Sequence, residues 1–426
     1  MTVIHRQEIL QDISFFTSTP KAKFYDALFA HLDVSVMEKT AAHTGRKGFP
    51  KAAMLRAFIV MKCEGFSQIT DLVDFLNNNL IIAHDCCFNI MKSLPSYWTF
   101  DRFLRDMDNT VLKELMQTQV QLLYERGILD TSFIGLDSTP VAANTSQNNP
   151  KSFQANKFSK EHQPKSDPDC RLGVHTASNQ HSEKNYSFYW GYKSHVLVDC
   201  ISGLPLYEMT TPANIADSTV ALDVLSRTDS FLPLRECTFI GDKGYDVKAI
   251  YNTVKTVYHG DCVIPLNARG SKNPKTLLSG NIICQAGLAM HKDGKDSSGG
   301  RCRQKFCCPF RKSKDDAACP CNHPRYFNGK RNRGCTKYIT LPDDYRLSID
   351  RSCIAFKSVY ALRTECERYN SRFKAAGQER LWVRSLAAAQ NLNSITHIAL
   401  LAVAAAAVSS QSAQSFRCLK SVKRTA

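Results

Sequence analysis

The sequence lacks any apolar run long enough to cross a membrane. Its longest, from Ile398 to Val408, falls well short of the roughly 18 residues that a spanning helix requires. Charged side chains interrupt the opening stretch, "MTVIHRQEILQDISFF", so a cleavable secretory signal is not expected there. We therefore expect a cytoplasmic protein with no membrane partner.

Acidic residues are few relative to basic ones. Among 426 residues there are 39 Asp and Glu against 55 Lys and Arg, a formal net charge of +16. A basic surface gains affinity for nucleic acid by displacing condensed counterions, so this surplus favours a polyanionic partner. The 43% hydrophobic content is typical of a folded protein and not of a disordered one. A length of 426 residues allows two or three domains, or one domain with insertions.

No C-x2-C pair occurs, although the chain has 17 cysteines. Most stand singly among apolar neighbours, as small buried residues do in a reducing compartment. Seven fall in one window: Cys284, Cys302, Cys307, Cys308, Cys319, Cys321 and Cys335. The C-x4-C and C-x-C spacings in that window are compatible with a metal site and equally with free thiols.

Helical periodicity dominates up to about residue 126. "FPKAAMLRAFIVMK" places Pro50 at a helix start and repeats apolar residues with a period close to 3.6. In "SQITDLVDFLNN", a second helix sets Ile69, Leu72, Val73 and Leu76 on one side. Basic residues are frequent here, so residues 1–126 are predicted to form either a DNA-binding helical domain or a helical domain with a solvated basic face.

The pattern changes after Gly127. "SFIGLDSTPVAA" fits a buried strand, and "YSFYWGYKSHVLVDCISGLPLYEMTTP" fits two strands joined by a turn at Ser202 and Gly203. Helices and strands then alternate as far as "DCVIPLN", which predicts a mixed α/β sheet flanked by helices. The predicted bounds are 127–268 for the first part of this core, 269–340 for a Cys-rich, β-rich insertion, and 341–426 for the second part with C-terminal helices.

Two aspartates lie at or just beyond the ends of predicted strands. Asp137 follows "SFIGL", and Asp242 follows "CTFI". Ligands bind at that rim of an α/β sheet, since side chains there escape the packed core. Each aspartate is also well placed to cap a turn, and "GDKGYD" in particular is good turn chemistry. Taken singly, each favours the capping role.

A third acid comes from the stretch "VYALRTECERYNSRFK", residues 359–374. On one continuous helix at 100° per residue, Tyr360, Arg363, Glu367 and Lys374 lie within about 60° of one another, whereas Glu365 lies about 140° from Tyr360. Arg363 and Glu367 would form an ordinary i, i+4 surface pair. The same stripe would also suit an acid that holds a divalent metal while neighbouring cations hold phosphates. Three carboxylates on a basic α/β chain suggest phosphoryl transfer on nucleic acid.

These residues resemble the insertion-sequence DDE transposases that carry a Y-R-E-K signature. That signature runs Tyr, two residues, Arg, three residues, Glu, six residues, Lys, and the four residues above satisfy every interval. The likeness extends to "LDST", "GYKSHVLVDCISGLP", "TPANIAD" and "GDKGYD", and to "GFPKAAMLRAFIVMKCEGFS" and "TFDRFLRDM" in the helical region. It spans about residues 45 to 385.

The resemblance implies an RNase H-like catalytic core with an insertion before the catalytic glutamate. It implies that Asp137, Asp242 and Glu367 bind two Mg²⁺ (or Mn²⁺) ions. Water would then cut the transposon end, and the freed 3′-hydroxyl would attack target DNA. Tyr360, Arg363 and Lys374 would hold the end DNA. The expected partners are terminal inverted repeats and target DNA, with a homodimer in the synaptic complex of a prokaryotic, nucleoid-associated enzyme.

Two further assignments are left with alternatives. Lys193 and His195 lie on a strand whose motif matches the family, where they would approach DNA or serve the fold. Sulfur-rich insertions occur in some members of the family, so the Cys-rich window would either bind a structural Zn²⁺ or carry free thiols. The candidate zinc ligands are Cys302, Cys307, Cys319, Cys321, His323 and Cys335.

The leading hypothesis is therefore a DNA transposase that cleaves insertion-sequence ends and transfers the strands to target DNA. One alternative is a transposase-derived or regulatory protein that binds DNA without catalysis. Intact acids at all three positions argue against it. Another is a hydrolytic nuclease that never joins strands, which the sequence does not distinguish from the first hypothesis.

Overall fold

The computed structural model describes residues 18–38, 48–145, 163–178, 184–267, 281–296, 303–312, 335–340 and 345–409. The chain divides into two compact units that alternate along the sequence. The first unit comprises Met1–Thr131, Gly135–Pro233 and Thr364–Ala426. The second unit comprises Ser132–Ile134 and Leu234–Arg363.

The amino-terminal part of the first unit is helical, as the periodicity predicts. Its helices are α1 (Pro20–Ala30), α2 (Ser35–Glu38), α3 (Lys51–Glu64), α4 (Ile69–Asn78), α5 (Leu80–Asp85), α6 (Tyr97–Asp106) and α7 (Asn109–Glu125). Helix α3 follows Pro50 and ends at Gly65, whose φ of 80° is accessible to glycine at little cost. Helix α4 buries three of the four residues that the pattern selects, Ile69, Leu72 and Leu76, and leaves Val73 half-buried.

In the first unit, a long central strand pairs antiparallel with two strands and lies next to a third. The four strands are β1 (Phe133–Ala142), β2 (Arg171–Ser178), β3 (Lys184–Asp199) and β4 (Pro205–Pro212), followed by helix α8 (Asp217–Asp229). The first half of the central strand, β3, pairs with β2 and the second half with β4. The predicted turn at Ser202 and Gly203 is confirmed. Asp199 accepts hydrogen bonds from the amides of Ile201 and Ser202, and Gly203 adopts a φ of 71°.

The second unit contains parallel and antiparallel strands. Strand β5 (Thr238–Ile240), helix α9 (Lys248–Thr256) and strand β6 (Asp261–Val263) form a parallel crossover. The amide of Thr238 donates to the carbonyl of Ser132, the residue before β1, at 2.7 Å. The first two residues of β1 are assigned to the second unit and the rest of the strand to the first, so β1 belongs to both units. Strands β1 to β6 form one six-stranded mixed sheet, which confirms the predicted mixed α/β class.

The described part of the Cys-rich region is a small antiparallel sheet. Its strands are β7 (His291–Asp296), β8 (Arg303–Cys307) and β9 (Thr336–Thr340), with β8 in the middle. Cys284, Cys308 and Cys335 pack with Met290 and Phe306 in a buried apolar cluster. The β-rich character predicted for this insertion is therefore confirmed for the residues described.

In the described part of the chain, four α-helices follow β9: α10 (Tyr345–Ser348), α11 (Ile354–Ala361), α12 (Thr364–Phe373) and α13 (Leu386–Ser409). Among the described residues, α13 alone is long and apolar enough to cross a membrane by length and composition, so the expectation that no segment reaches that length is wrong. However, 89% of its apolar window is buried inside the protein. We interpret α13 as the core helix of the first unit.

A buried polar cluster lies where α7, β4 and α13 meet. The Glu208 side chain on β4 is 0% exposed and forms an ion pair with Lys113 of α7. It also accepts a hydrogen bond from the Ser394 hydroxyl of α13 at 2.6 Å. Burial alone would raise the pKa of Glu208, but the Lys113 ammonium holds that pKa below its usual value. The carboxylate is therefore charged and compensated within the core.

Replacing Lys113 by Met should leave this buried carboxylate without its counter-charge. We expect K113M to lower the free energy of unfolding by about 3–5 kcal/mol, as measured by urea denaturation. The matched control is Lys255→Met, which breaks an exposed pair with Asp261 and should cost less than about 1 kcal/mol. Equal, small losses for the two variants would contradict the role assigned to the buried pair.

Candidate active site

The first candidate acid, Asp137, is half-buried and lies in the middle of β1, so its predicted position at or just beyond a strand end is wrong. Its Oδ2 accepts a hydrogen bond from Nδ2 of Asn370 at 3.0 Å. Asn370 belongs to α12, so this bond connects β1 to the helix that carries both glutamates. Sequence reasoning missed Asn370, because an amide in a polar helix gives no signal of a contact to a residue 233 positions away.

One face of α12 is fixed by an aromatic stack in the core. The ring of His397 is nearly parallel to those of Tyr369 and Phe373, with centroid distances of 5.7 and 4.6 Å. The Tyr369 hydroxyl and His397 Nδ1 are 2.5 Å apart. Tyr369 and Phe373 are both fully buried, so the helix cannot rotate about its axis without emptying this stack.

The geometry of α12 separates its two glutamates. Glu367 lies one turn before Asn370, about 60° away around the helix, whereas Glu365 lies about 140° away. The Asn370 bond to Asp137 identifies the side of the helix that faces β1, and Glu367 is on that side with an exposed side chain. Glu365 is buried and forms an ion pair with Arg368.

The prediction of one continuous helix through residues 360–374 is wrong. Helix α11 ends at Ala361, and the amides of Leu362 and Arg363 bond to carbonyls three residues earlier, which tightens the chain into a turn. A π-helical segment, Lys374–Gln378, follows α12 and contains Gly377 at a φ of 84°. A single helical wheel therefore does not relate Tyr360 or Lys374 to Glu367, and the angular argument holds only within α12.

The remaining signature residues lie outside α12. Tyr360 is half-buried in α11, where its ring stacks on Phe356 with centroids 6.1 Å apart. Arg363 occupies the turn and Lys374 begins the π-helical segment, and both side chains are half-buried. These positions do not test whether Tyr360, Arg363 and Lys374 contact DNA, which stays a prediction.

Asp242, in the second unit, follows the carboxyl end of β5. Its Oδ1 accepts a hydrogen bond from the Gly244 amide at 2.7 Å and caps a short 3-10 helix, Lys243–Tyr245. The turn-capping role considered from the sequence is thus observed, and it does not exclude a second role. The other aspartate of "GDKGYD", Asp246, is buried and pairs bidentately with Arg346, which is a structural arrangement.

Lys193 and His195 have partners within the protein. Lys193 Nζ lies 3.0 Å from Asp217 Oδ1, and His195 Nε2 lies 2.8 Å from the Thr211 hydroxyl. His195 is 0% exposed, and burial lowers its pKa to about 4 although Asp217 opposes that shift. A neutral, fully enclosed imidazole has no surface to offer a phosphate, which favours the structural role.

The donor chemistry of the acids fits a hard cation, since Mg²⁺ prefers carboxylate oxygens. Within the described part of the chain, however, no group of three or more His, Cys, Asp or Glu side chains is gathered closely enough to hold a metal ion. Asp137 and Glu367 are on facing elements of the first unit, and Asp242 belongs to the second unit. The prediction of two metal ions therefore stays a prediction.

The zinc prediction falls largely outside the described residues. Cys302, Cys319, Cys321 and His323 are among those not described. Cys307 donates its thiol to Asp293 Oδ2 at 3.0 Å, and Cys335 packs in the apolar cluster of the small sheet. Neither contact tests whether the six candidate ligands bind Zn²⁺.

Comparisons with known proteins converge on one class. The family model described as "Transposase DDE domain" matches residues 128–402, and the model "Transposase domain (DUF772)" matches residues 14–106. No curated protein matches the chain.

Two solved structures are similar, each at 10% identity. A piggyBac transposase synaptic complex with hairpin DNA aligns over 98% of this chain and 79% of its own, with a TM-score of 0.40. A Mos1 transposase paired-end complex with the left transposon end aligns over 52% and 61%, with a TM-score of 0.17. At such scores neither likeness defines a detailed correspondence of residues.

The buried histidines give the first unit a defined response to acid. Burial lowers the pKa of both His195 and His397 to about 4, below the 6.5 or so of an unfolded chain. The unfolded state therefore binds more protons between about pH 6.5 and 4, so stability falls as the pH falls through that range. Each histidine contributes up to about 1.4 kcal/mol per pH unit to the slope of unfolding free energy against pH.

Replacing His195 by Gln should make that slope flatter than in wild type, as measured by urea denaturation between about pH 6.5 and 4. Identical slopes for the two proteins would contradict the lowered pKa assigned to His195.

Proposed function

The chain belongs to the transposase DDE domain family and is a DNA transposase, and we propose that it cleaves the ends of an insertion sequence and joins them to target DNA. Family membership supports this through a match over well more than half of the chain. The observation that carries the proposal is the link between Asp137 on β1 and Asn370 on α12. That link places the strand with one acid against the face of the helix that bears Glu367.

We assign the three acids a common task. Asp137, Asp242 and Glu367 would each supply carboxylate oxygens to bound Mg²⁺ or Mn²⁺, the ligand type that these ions prefer. When bound, the ions would stabilise the attacking and leaving oxygens of the phosphodiester. The cap that Asp242 makes to Gly244 is compatible with this task, because a carboxylate has acceptor capacity for more than one partner.

The cations near the acids would hold DNA. Arg363 and Lys374 flank α12 in the sequence, and guanidinium and ammonium groups bind phosphates well. The net charge of +16 supports double-stranded DNA as the partner. We infer that the substrates are the terminal inverted repeats of the element and its target DNA, bound by a homodimer when two ends are brought together. A chain with this partner would act at the nucleoid of a prokaryotic cell.

A pair of isosteric substitutions on α12 tests the proposal. With Mg²⁺ and a duplex that carries the sequences flanking this reading frame, wild type should nick at the element's ends. Glu367→Gln should lower the nicking rate by at least about 100-fold, because losing a ligand charge removes transition-state stabilisation. Glu365→Gln, the matched control, should stay within about threefold of wild type, since its charge lies on the opposite side of the helix.

Each contrary outcome has a distinct meaning. If Glu367→Gln nicks as fast as wild type, the catalytic assignment is wrong and a DNA-binding protein without catalysis becomes the better account. If Glu365→Gln loses as much activity as Glu367→Gln while its melting temperature is unchanged, the wrong glutamate has been assigned.

A further inference from the structure

Asn370 contacts one candidate acid of the first unit, Asp137, and lies one helical turn from the other, Glu367. Its Nδ2 donates to Asp137 Oδ2 at 3.0 Å, and it lies one helical turn after Glu367 on the same side of α12. A carboxylate only accepts hydrogen bonds, so the amide nitrogen and not the amide oxygen must face Asp137. This bond therefore ties the Asp137 carboxylate to the helix that bears Glu367.

Packing holds Asn370 in place. Its side chain is 9% exposed, between Tyr369 and Phe373 on the helix, whose rings stack on His397. His397 Nε2 in turn lies 3.3 Å from the Ser194 hydroxyl of β3 and 4.0 Å from Glu208 Oε2. The helix that presents Asn370 is therefore anchored to β3, β4 and α13, which leaves the amide little freedom to move.

A neutral donor suits a carboxylate that is to receive a cation. A lysine or arginine in this place would bring a positive charge beside Asp137 and compete with a metal ion for it. An amide orients the carboxylate without neutralising it. Carboxylates that bind metals are commonly held by hydrogen bonds of this kind, and removing such a partner typically costs about 10–100-fold in metal affinity or activity.

We propose that Asn370 is a positioning residue for catalysis: its hydrogen bond fixes the Asp137 carboxylate in the orientation needed to bind a divalent cation together with Glu367. The inference rests on the proposed function, and it adds a residue outside the Y-R-E-K signature. Asn370 acts through Asp137 and does not itself contact the DNA or the metal.

The test compares Asn370→Leu, which keeps a side chain of similar size without a donor, with Ser371→Ala, an exposed position on the same helix. Mn²⁺ affinity is measured by electron paramagnetic resonance and cleavage by single-turnover kinetics on the flanking-sequence duplex. We expect Asn370→Leu to weaken Mn²⁺ binding and to slow cleavage by about 10–100-fold each. Its melting temperature and its affinity for the duplex should stay at wild-type values, and Ser371→Ala should be unchanged throughout.

Two results would overturn the inference. Wild-type Mn²⁺ affinity in Asn370→Leu would show that the hydrogen bond does not serve the metal. A parallel fall in melting temperature and DNA affinity would show a packing role only. Asp137→Asn separates this failure from failure of the proposed function: if it cleaves like wild type, the function itself is wrong. If it is inactive while Asn370→Leu is fully active, only the role of Asn370 is wrong.

Discussion

A charge buried in the core of the first unit, the carboxylate of Glu208, constrains how the surrounding elements pack. Burying a charged carboxylate without a partner is very costly. Glu208 forms an ion pair with Lys113 of α7 and accepts a hydrogen bond from Ser394 of α13. His397, one turn along α13 from Ser394, lies near Glu208 through its Nε2 and hydrogen-bonds the Tyr369 hydroxyl of α12 through its Nδ1. These contacts hold helices from distant parts of the sequence in place against strand β4.

The orientation of α12 follows from that constraint, and the candidate site follows from the orientation. With Tyr369 and Phe373 held against His397, the adjacent face of α12 brings Asn370 to Asp137 and leaves Glu367 exposed one turn away. The same orientation of α12 buries Glu365, which forms an ion pair with Arg368. The glutamate proposed for catalysis, Glu367, and the buried, paired Glu365 thus differ by their angular position on one helix.

Much of this architecture could be predicted from local pattern. The buried side of α4, the turn at Gly203 and the strand around Asp137 each follow from short-range periodicity or turn chemistry. The break at Leu362 and Arg363 could not be predicted, since no glycine or proline marks it. The π-helical segment is similar: Gly377 permits the required backbone angles but does not by itself specify them. Asn370 and the burial of His195 depend on tertiary contacts, which periodicity does not encode.

Strand transfer with precut ends tests the central claim, that this chain joins DNA by means of its three acids, most directly. The variant to compare with wild type is Asp242→Asn, because the asparagine keeps an oxygen that can still accept from the Gly244 amide and loses only the charge. The account predicts that wild type with Mg²⁺ gives joined product with a target plasmid and that Asp242→Asn, folded to the same melting temperature, gives none. Equal joining by the two proteins, or a wild type that only hydrolyses its substrate, would contradict it.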